Sequence, residues 1–593
     1  MRLRHLLCLA VLLAVPATSA HAYTYGDTLT TIWRPLPNLP ALARPGDAIT
    51  VWANAPSSAA GWSAALHYGA LHVPLTAAGG GWQSTKGRWE LQFTVPAGTP
   101  EEIYALSLTS DSTPPDTSAH SVKVLPEYRS DYYFAQISDT HLPSHTFSDG
   151  SGFSTADTSG MADFDAVIED LDIIHPEFIV HTGDLVNEGE LEEYLAMYEM
   201  GRAKTMLNRL QAPIWVSTGN HDIGGWDPTP PPPGTSRKNW WRYFGWPFLL
   251  TPPPGDPSHS QDFTFDYGPL HVIGLEAYNN SGQYDDYNTG VYGPDSFTNE
   301  QLTWLQNDIA AHSASKKLLF YHYDFGGFNA DFTQINVNTL GLDGALWGHF
   351  HTIADTGRTR RPFSIGTRSV IDYRGYRLIR VHDGVMSPAR MVRAGGTTSA
   401  PTDSLAPAWS GPNDGTRRAL TLTVLNRFNE TWEHARVTFN LADHDSDFVA
   451  TGGTIAQVIR QGGMANVAVD FVVPASGSVV VSVQPSVPIT GVDDRPAGTL
   501  TLFAPSPNPF RVTGGALALR FTLPSEEDAR LELIDVSGRR VATLTSGRQS
   551  AGDHVARWNG RTDSGGAAAP GLYFARLTTA AGAARTARFV LTR

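Results

Sequence analysis

Five short polar clusters in this 593-residue chain have the residue types and spacing to do chemistry. They are Asp139-Thr140-His141, Gly183-Asp184, Gly219-Asn220-His221-Asp222, His322 and Gly348-His349-Phe350-His351. Carboxylates bridge two cations, an imidazole fills one coordination position, and an amide carbonyl adds a neutral oxygen, so the set suits hard or borderline divalent metals. In Asp-x-His and His-x-His, the i and i+2 spacing puts both ligands on one side of an extended segment. Two metals about 3.5–4 Å apart share a bridging water and lower its pKa toward neutrality, which gives a hydroxide nucleophile. Two aspartates do not neutralise such a pair, so the pocket is locally cationic and favours phosphate. The chain as a whole carries 43 Lys+Arg against 58 Asp+Glu, a net −15. That balance argues against a general nucleic-acid binder, which needs a basic face.

The clusters need elements to position them. Tyr132–Ile137, Phe178–His181, Ile214–Ser217, Leu270–Leu275, Lys317–Tyr321 and Ala345–Gly348 read as strands. Met161–Ile174, Leu191–Leu210 and Thr298–His312 read as helices. Strands alternating with helices imply an α/β layer architecture. Each polar cluster then follows a strand, and ligands of open α/β sheets sit at the carboxyl ends of strands. Five clusters in that topological place point to one site.

In this order, D-x-H, G-D, G-N-H-D, H and G-H-x-H resemble the calcineurin-like metallophosphoesterases, over about residues 131–393. The resemblance implies a four-layer αββα sandwich as the centre of a multidomain chain. It also implies roles. Asp139, His141 and His351 bind a first metal, Asp184 bridges both, and Asn220, His322 and His349 complete the second. The two ions are manganese, iron, zinc or nickel. His221 contacts the phosphate and protonates the leaving oxygen while the bridging hydroxide attacks phosphorus. Two positions depart from the family pattern. Asn187 stands where purple acid phosphatases carry a tyrosine, so no phenolate-to-iron colour is expected. His322-Tyr323-Asp324 replaces the usual His-His-Pro.

Around that centre, alternating runs separated by Gly, Pro and Asp turns predict flanking Ig-like β-sandwiches at 23–127 and 416–486. Residues 396–415 and 487–498 read as linkers, with the α/β domain at 130–395 and a third β-module at 499–593. The start, with Arg2, Arg4, the apolar run Leu6–Val15 and Ala20-His21-Ala22, reads as a signal peptide over 1–22. Its apolar run is too short to span a bilayer, and no other segment approaches that length. Cys8, the only cysteine, lies inside it, so no disulfide or thiolate metal site is expected. From residue 501 the charge is 12 Arg against 7 acids, distinct from the acidic body. Pro505-Ser506-Pro507-Asn508-Pro509-Phe510, the run Leu533–Val541 and Pro570-Gly571-Leu572-Tyr573-Phe574 are similar to flagellar hook-capping Ig-like domains and Por-type (type IX) sorting domains. That resemblance implies secretion or cell-surface machinery as partner, and a secreted or surface location with the periplasm as the alternative.

The leading expectation is an exported hydrolase of small phosphomono- or phosphodiesters, with catalytic residues His221, Asp184 and Asn220. A nucleotide- or phospholipid-directed relative is the second reading, with Trp240, Trp241 and Tyr243 stacking a base or meeting a lipid. A surface adhesin with an inactive scaffold is the third. Arg237 and Arg242 in the 226–260 insert are candidate phosphate contacts, although an anchor for the insert is the plainer role of this stretch. His145 and His181 read more simply as packed or surface histidines than as groups that orient the site. Asp222 either orients His221 or caps a helix. Asp285 and Asp286 read as a solvated turn rather than a calcium site.

Overall fold

A computed structural model of the chain describes residues 31–142, 159–187, 193–223, 240, 243–244, 262–276, 297, 299–323, 335–355, 357–395, 405–443, 446–487, 500–503, 505–506, 508–511, 516–550, 552–580 and 582–592. The expected leader at 1–22, His145, Arg237, Lys238, Trp241, Arg242, Asp285, Asp286 and Asp324 lie outside these. They divide into two units, 1–487 and 488–593.

In the α/β domain the elements are β1 (Asp131–Ile137), α1 (Ser159–Ile174), β2 (Ile179–His181), α2 (Glu193–Leu207), β3 (Ile214–Val216) and α3 (Asn220–Ile223). They continue with β4 (Phe263–Tyr267), β5 (Leu270–Gly274), α4 (Asn299–Ala311), β6 (Lys316–Phe320), β7 (Gly344–Trp347), β8 (Phe363–Gly366), α5 (Val370–Tyr373), β9 (Gly375–His382), β10 (Val385–Pro388) and β11 (Val392–Arg393). Sheet I has the order β3-β2-β1-β9-β10, with β11 also on β9; sheet II has the order β4-β5-β6-β7-β8. The strands β1, β2 and β3 are parallel, as are β5 to β8. All site-bearing strands of each sheet therefore release their loops at the same edge.

Alternation along β1 explains the layering. Tyr132 and Phe134 point into the core between the sheets; Tyr133, Ala135 and Ile137 point to the opposite face, toward α1 and α2. Between the sheets, Trp215 of sheet I stacks on Phe265 of sheet II at 3.7 Å. On the outer face of sheet II, Ile273, Leu319 and Trp347 pack with Leu305 of α4. Helix, sheet, sheet and helix give the αββα sandwich.

Sheet II also holds a buried histidine between two acids. His271, 1% exposed, bonds Asp266 through Nδ1 at 2.7 Å and Asp308 through Nε2 at 2.8 Å. Burial lowers its pKa, but Asp266 and Asp308 more than offset this and raise it from 6.5 to about 9. A pKa raised on folding stabilises fully below 6.5, and the contribution is lost as pH rises through 9. Asp266 is mostly exposed, which screens its half of the pair. His271→Gln is therefore expected to cost about 1–2 kcal/mol at pH 6 and much less at pH 10. Thermal unfolding of wild type and variant at the two pH values checks this; an equal loss at both refutes it.

An N-terminal sandwich pairs a four-stranded with a five-stranded sheet. A second sandwich follows the α/β domain, and its Trp432, Phe439 and Leu422 belong to the same buried cluster as α1 and α2. The stretch expected as a linker at 396–415 contains a strand, Leu405–Trp409, paired with Leu420–Asn426. Its edge position tolerates Pro407, and that proline together with the polar flanks hid it in the sequence. The N-terminal sandwich's Glu101 joins this assembly: Arg436 reaches it at 2.5 Å and His175 at 3.5 Å. In the second unit, a three-stranded and a five-stranded sheet enclose Phe521, Leu531, Trp558 and Phe589. No helix among the described residues is long and apolar enough to cross a membrane.

Candidate functional site

The loops after β1, β2, β3, β6 and β7 bring all seven expected ligand residues together. Asn220 Oδ1, His322 Nε2 and His349 Nδ1 form a triangle with edges of 3.0, 3.1 and 3.1 Å. Asp184 Oδ2 lies 3.1 Å from His322 Nε2 and 3.7 Å from His141 Nε2, so it links this triangle to a second group. In that group, His141 Nε2 is 3.1 Å from His351 Nε2, which is 3.5 Å from Asp139 Oδ1. Asp139, His141 and His351 form one set that could hold a cation, and Asp184, His322 and His349 another. Ligands at about 2.1 Å from a shared cation lie about 3 Å apart, so the donor set and its edges fit two metals.

The backbone is bent to achieve this. Ten described non-glycine residues have positive φ, and five of them are Asp139, His141, Asp184, His349 and His351. Such strain gathers where function over-determines the chain. Glycines make the remaining room. Gly183 has φ +101°, and a Cβ there would sit 2.6 Å from His322 Nδ1; a Cβ on Gly219 would collide with Asp184 Oδ1.

Hydrogen bonds fix which ring nitrogen faces inward. His322 Nδ1 donates to Thr182 O at 2.8 Å, leaving Nε2 for the cluster. His221 Nδ1 donates to the carbonyl of Asn187 at 2.7 Å, and its backbone N–H donates to Asp184 Oδ1 at 2.9 Å. Its ring meets His141 edge-on at 4.6 Å. The Asn187 position therefore contributes a carbonyl that orients His221. Tyr323 stacks on the His349 ring at 4.7 Å, packing where the family pattern has a second histidine.

Two residues act differently from their sequence readings. His181 is fully buried and links the first two loops: Gly183 N donates to its Nδ1, and its Nε2 meets Thr140 Oγ1 at 3.1 Å. Thr140 Oγ1 in turn donates to Leu185 O. Asp222 neither orients the His221 ring nor serves only as a local cap: it accepts from Val186 N at 3.0 Å and Gly219 N at 2.8 Å, tying the second loop to the third. Burial, with the neighbouring Asp184 charge, pushes its carboxyl up to about 8. Trp240 is buried in the domain core with Phe244 and offers no stacking face to a base or lipid. Phe244 O accepts from Asn38 of the N-terminal sandwich.

The sequence reading missed Asp372. It lies on α5, beyond β8, and its Oδ2 accepts from His351 Nδ1 at 2.5 Å. The only signal in the sequence was the cap pattern Ser369-x-x-Asp372. Burial lowers the His351 pKa, but Asp139 and Asp372 raise it to about 10. Asp139 is pushed up by burial, yet His351 and its other imidazole neighbours bring it down to about 2. Burial lowers His141 to about 3 and His349 to about 4, so both offer lone pairs at neutral pH. Removing a partner that orients a metal-binding histidine weakens metal affinity by about 10–100-fold. Asp372→Ala is expected to do so, with the fold intact, in a competition titration against a chelator. Unchanged affinity would exclude the positioning role.

Among family models, residues 132–352 match the calcineurin-like phosphoesterase model. This stretch is a calcineurin-like phosphoesterase domain. It is a metal-dependent hydrolase type, and the model ends one residue past His351. Residues 508–583 match the FlgD Ig-like domain, so this stretch is an Ig-like domain. Solved structures similar to the chain include a dimetal phosphatase from Danio rerio, with 14% identity, TM-score 0.32, and coverage of 44% of this chain and 99% of that one. A purple acid phosphatase from yellow lupin seeds (Lupinus luteus) has 13% identity, TM-score 0.30, and coverage of 64% and 70%. FlgD from P. aeruginosa has 20% identity, TM-score 0.13, and coverage of 16% and 74%. No curated protein matches the chain.

Proposed function

We propose that this protein is an exported phosphoesterase that hydrolyses phosphomono- or phosphodiesters of small organic alcohols at two divalent metals. The convergence of seven ligand residues into two groups joined by Asp184 carries the reading. Asp139, His141 and His351 would hold one cation, Asn220, His322 and His349 the other, with Asp184 shared. When bound, such a pair supplies positive charge to phosphate oxygens and makes water nucleophilic near neutral pH. The chain's own residues do the rest. Asp184 stays anionic: burial pushes it up, but His322 and His221 hold it well below the ordinary carboxylate range. His221, with Nδ1 fixed on Asn187 O, would exchange a proton with the leaving oxygen through its other ring nitrogen. Its partners hold the ring in one orientation, so little reorganisation is needed at reaction.

Export is supported by the leader-like first 22 residues. Attachment through the carboxyl-terminal Ig-like domain completes the proposal. The intact ligand set speaks against an inactive scaffold. A panel of aryl and alkyl monoesters and diesters tests the reading, with each of manganese, iron, zinc and nickel restored to chelated protein. Turnover with close to two metals per chain is expected. Protein that keeps both metals and cleaves no ester of either class would rule the function out.

A further inference from the structure

We propose that a cavity between sheet I and the sandwich after the phosphoesterase domain binds an oxyanion carried on an organic body. The cavity measures about 950 Å³, in the range of small-ligand sites. It lies on the outer face of sheet I: Tyr133, which lines it, is four residues along β1 from the strand's end at Ile137, roughly 13 Å at strand rise, and Asp139 follows beyond that end. It is therefore separate from the metal-ligand cluster.

Charge comes from both walls. Arg358, Arg380 and Arg390 line it from the phosphoesterase domain and Arg427 from the sandwich, against the acids Glu430 and Glu433. Arg380 is engaged by Asp131 at 3.1 Å and Glu433 at 3.7 Å, and Arg358 lies 4.0 Å from Asp355. Arg390 is exposed and carries no ion pair among the described residues, and Arg427 keeps a buried Nη1 with no hydrogen-bond partner among them. Trp432, 1% exposed, has an Nε1–H likewise without a partner among the described residues. Three backbone acceptors at the rim are already used: Pro388 O by Arg358, Ala389 O by Arg377 and Glu430 O by Asn426. Donors and positive charge are in surplus, so the missing partner brings acceptors and negative charge. Guanidinium groups match the planar or tetrahedral oxygens of carboxylate, sulfate and phosphate. Met391, Val392 and Phe428, which also line the cavity, give the organic body apolar surface.

Calorimetric titration of the full, metal-stripped chain with citrate, sulfate and inorganic phosphate tests this, and the three probes distinguish the oxyanion. One saturable equivalent of at least one probe is expected, in wild type and in Asp184→Asn alike. The double variant Arg390→Gln/Arg427→Gln should weaken it by about tenfold or more. No saturable binding of any probe would overturn the site, as would binding lost in Asp184→Asn but kept in the double variant. Should the double variant fail to fold, exposed Arg390→Gln alone decides: weakening by about threefold or more supports the site, and less refutes it.

Discussion

Asp184→Asn is expected to abolish practical turnover, by about a thousandfold or more, and to take metal content below two per chain. The substitution is nearly isosteric and keeps an oxygen for the His221 backbone N–H, which donates to Asp184 Oδ1. What it removes is the negative charge at the junction of the two ligand groups, 3.1 Å from His322 and 3.7 Å from His141. Without that charge, two cations this close would repel with little between them to offset it. One metal should therefore leave while the other, held by Asp139, His141 and His351 or by Asn220, His322 and His349, remains. Metal analysis beside steady-state kinetics on an aryl phosphate reads both effects. A variant with two metals and more than about a tenth of wild-type turnover would show that the two groups do not share this carboxylate.

The ligand set was legible because each ligand pair sits just past a strand, and the i, i+2 spacing is a local property of the chain. Parallel strands then carry the loops to one edge whatever lies between. The supports were less legible. Thr182 and Asn187 act through backbone carbonyls, which every residue type possesses, so no side-chain pattern marks them. Asp372 lies 21 positions beyond the histidine it orients. It reaches it only because β8 returns alongside β7 and α5 turns back over the site. The strand Gly375–His382 escaped notice although it pairs with the central strand along six residues. Arg377 and Arg380 interrupt its apolar pattern, and Arg377 is buried against Asp355 and two backbone carbonyls. Tertiary partners, invisible in local composition, overrode the polar signal.

His221→Ala separates proton transfer from metal binding. The ring lies close enough to His141 and Asp184 for its nitrogen to join a ligand group, so proximity alone does not settle its role. Its hydrogen bonding favours a proton carrier: Nδ1 is committed to Asn187 O, which holds the ring in one orientation. Burial lowers its pKa, so the neutral ring prevails without substrate, and an incoming phosphate's negative charge favours the protonated form. The alanine variant should keep two metals and lose about 10²–10⁴ in turnover of alkyl esters, whose poor leaving oxygens need a proton. Aryl esters with acidic leaving groups need it less and should lose about tenfold or less. Rates across a series of leaving groups should therefore fall more steeply with leaving-group basicity in the variant than in wild type. Parallel slopes would remove the proton from His221, and loss of a metal would make the residue a ligand instead.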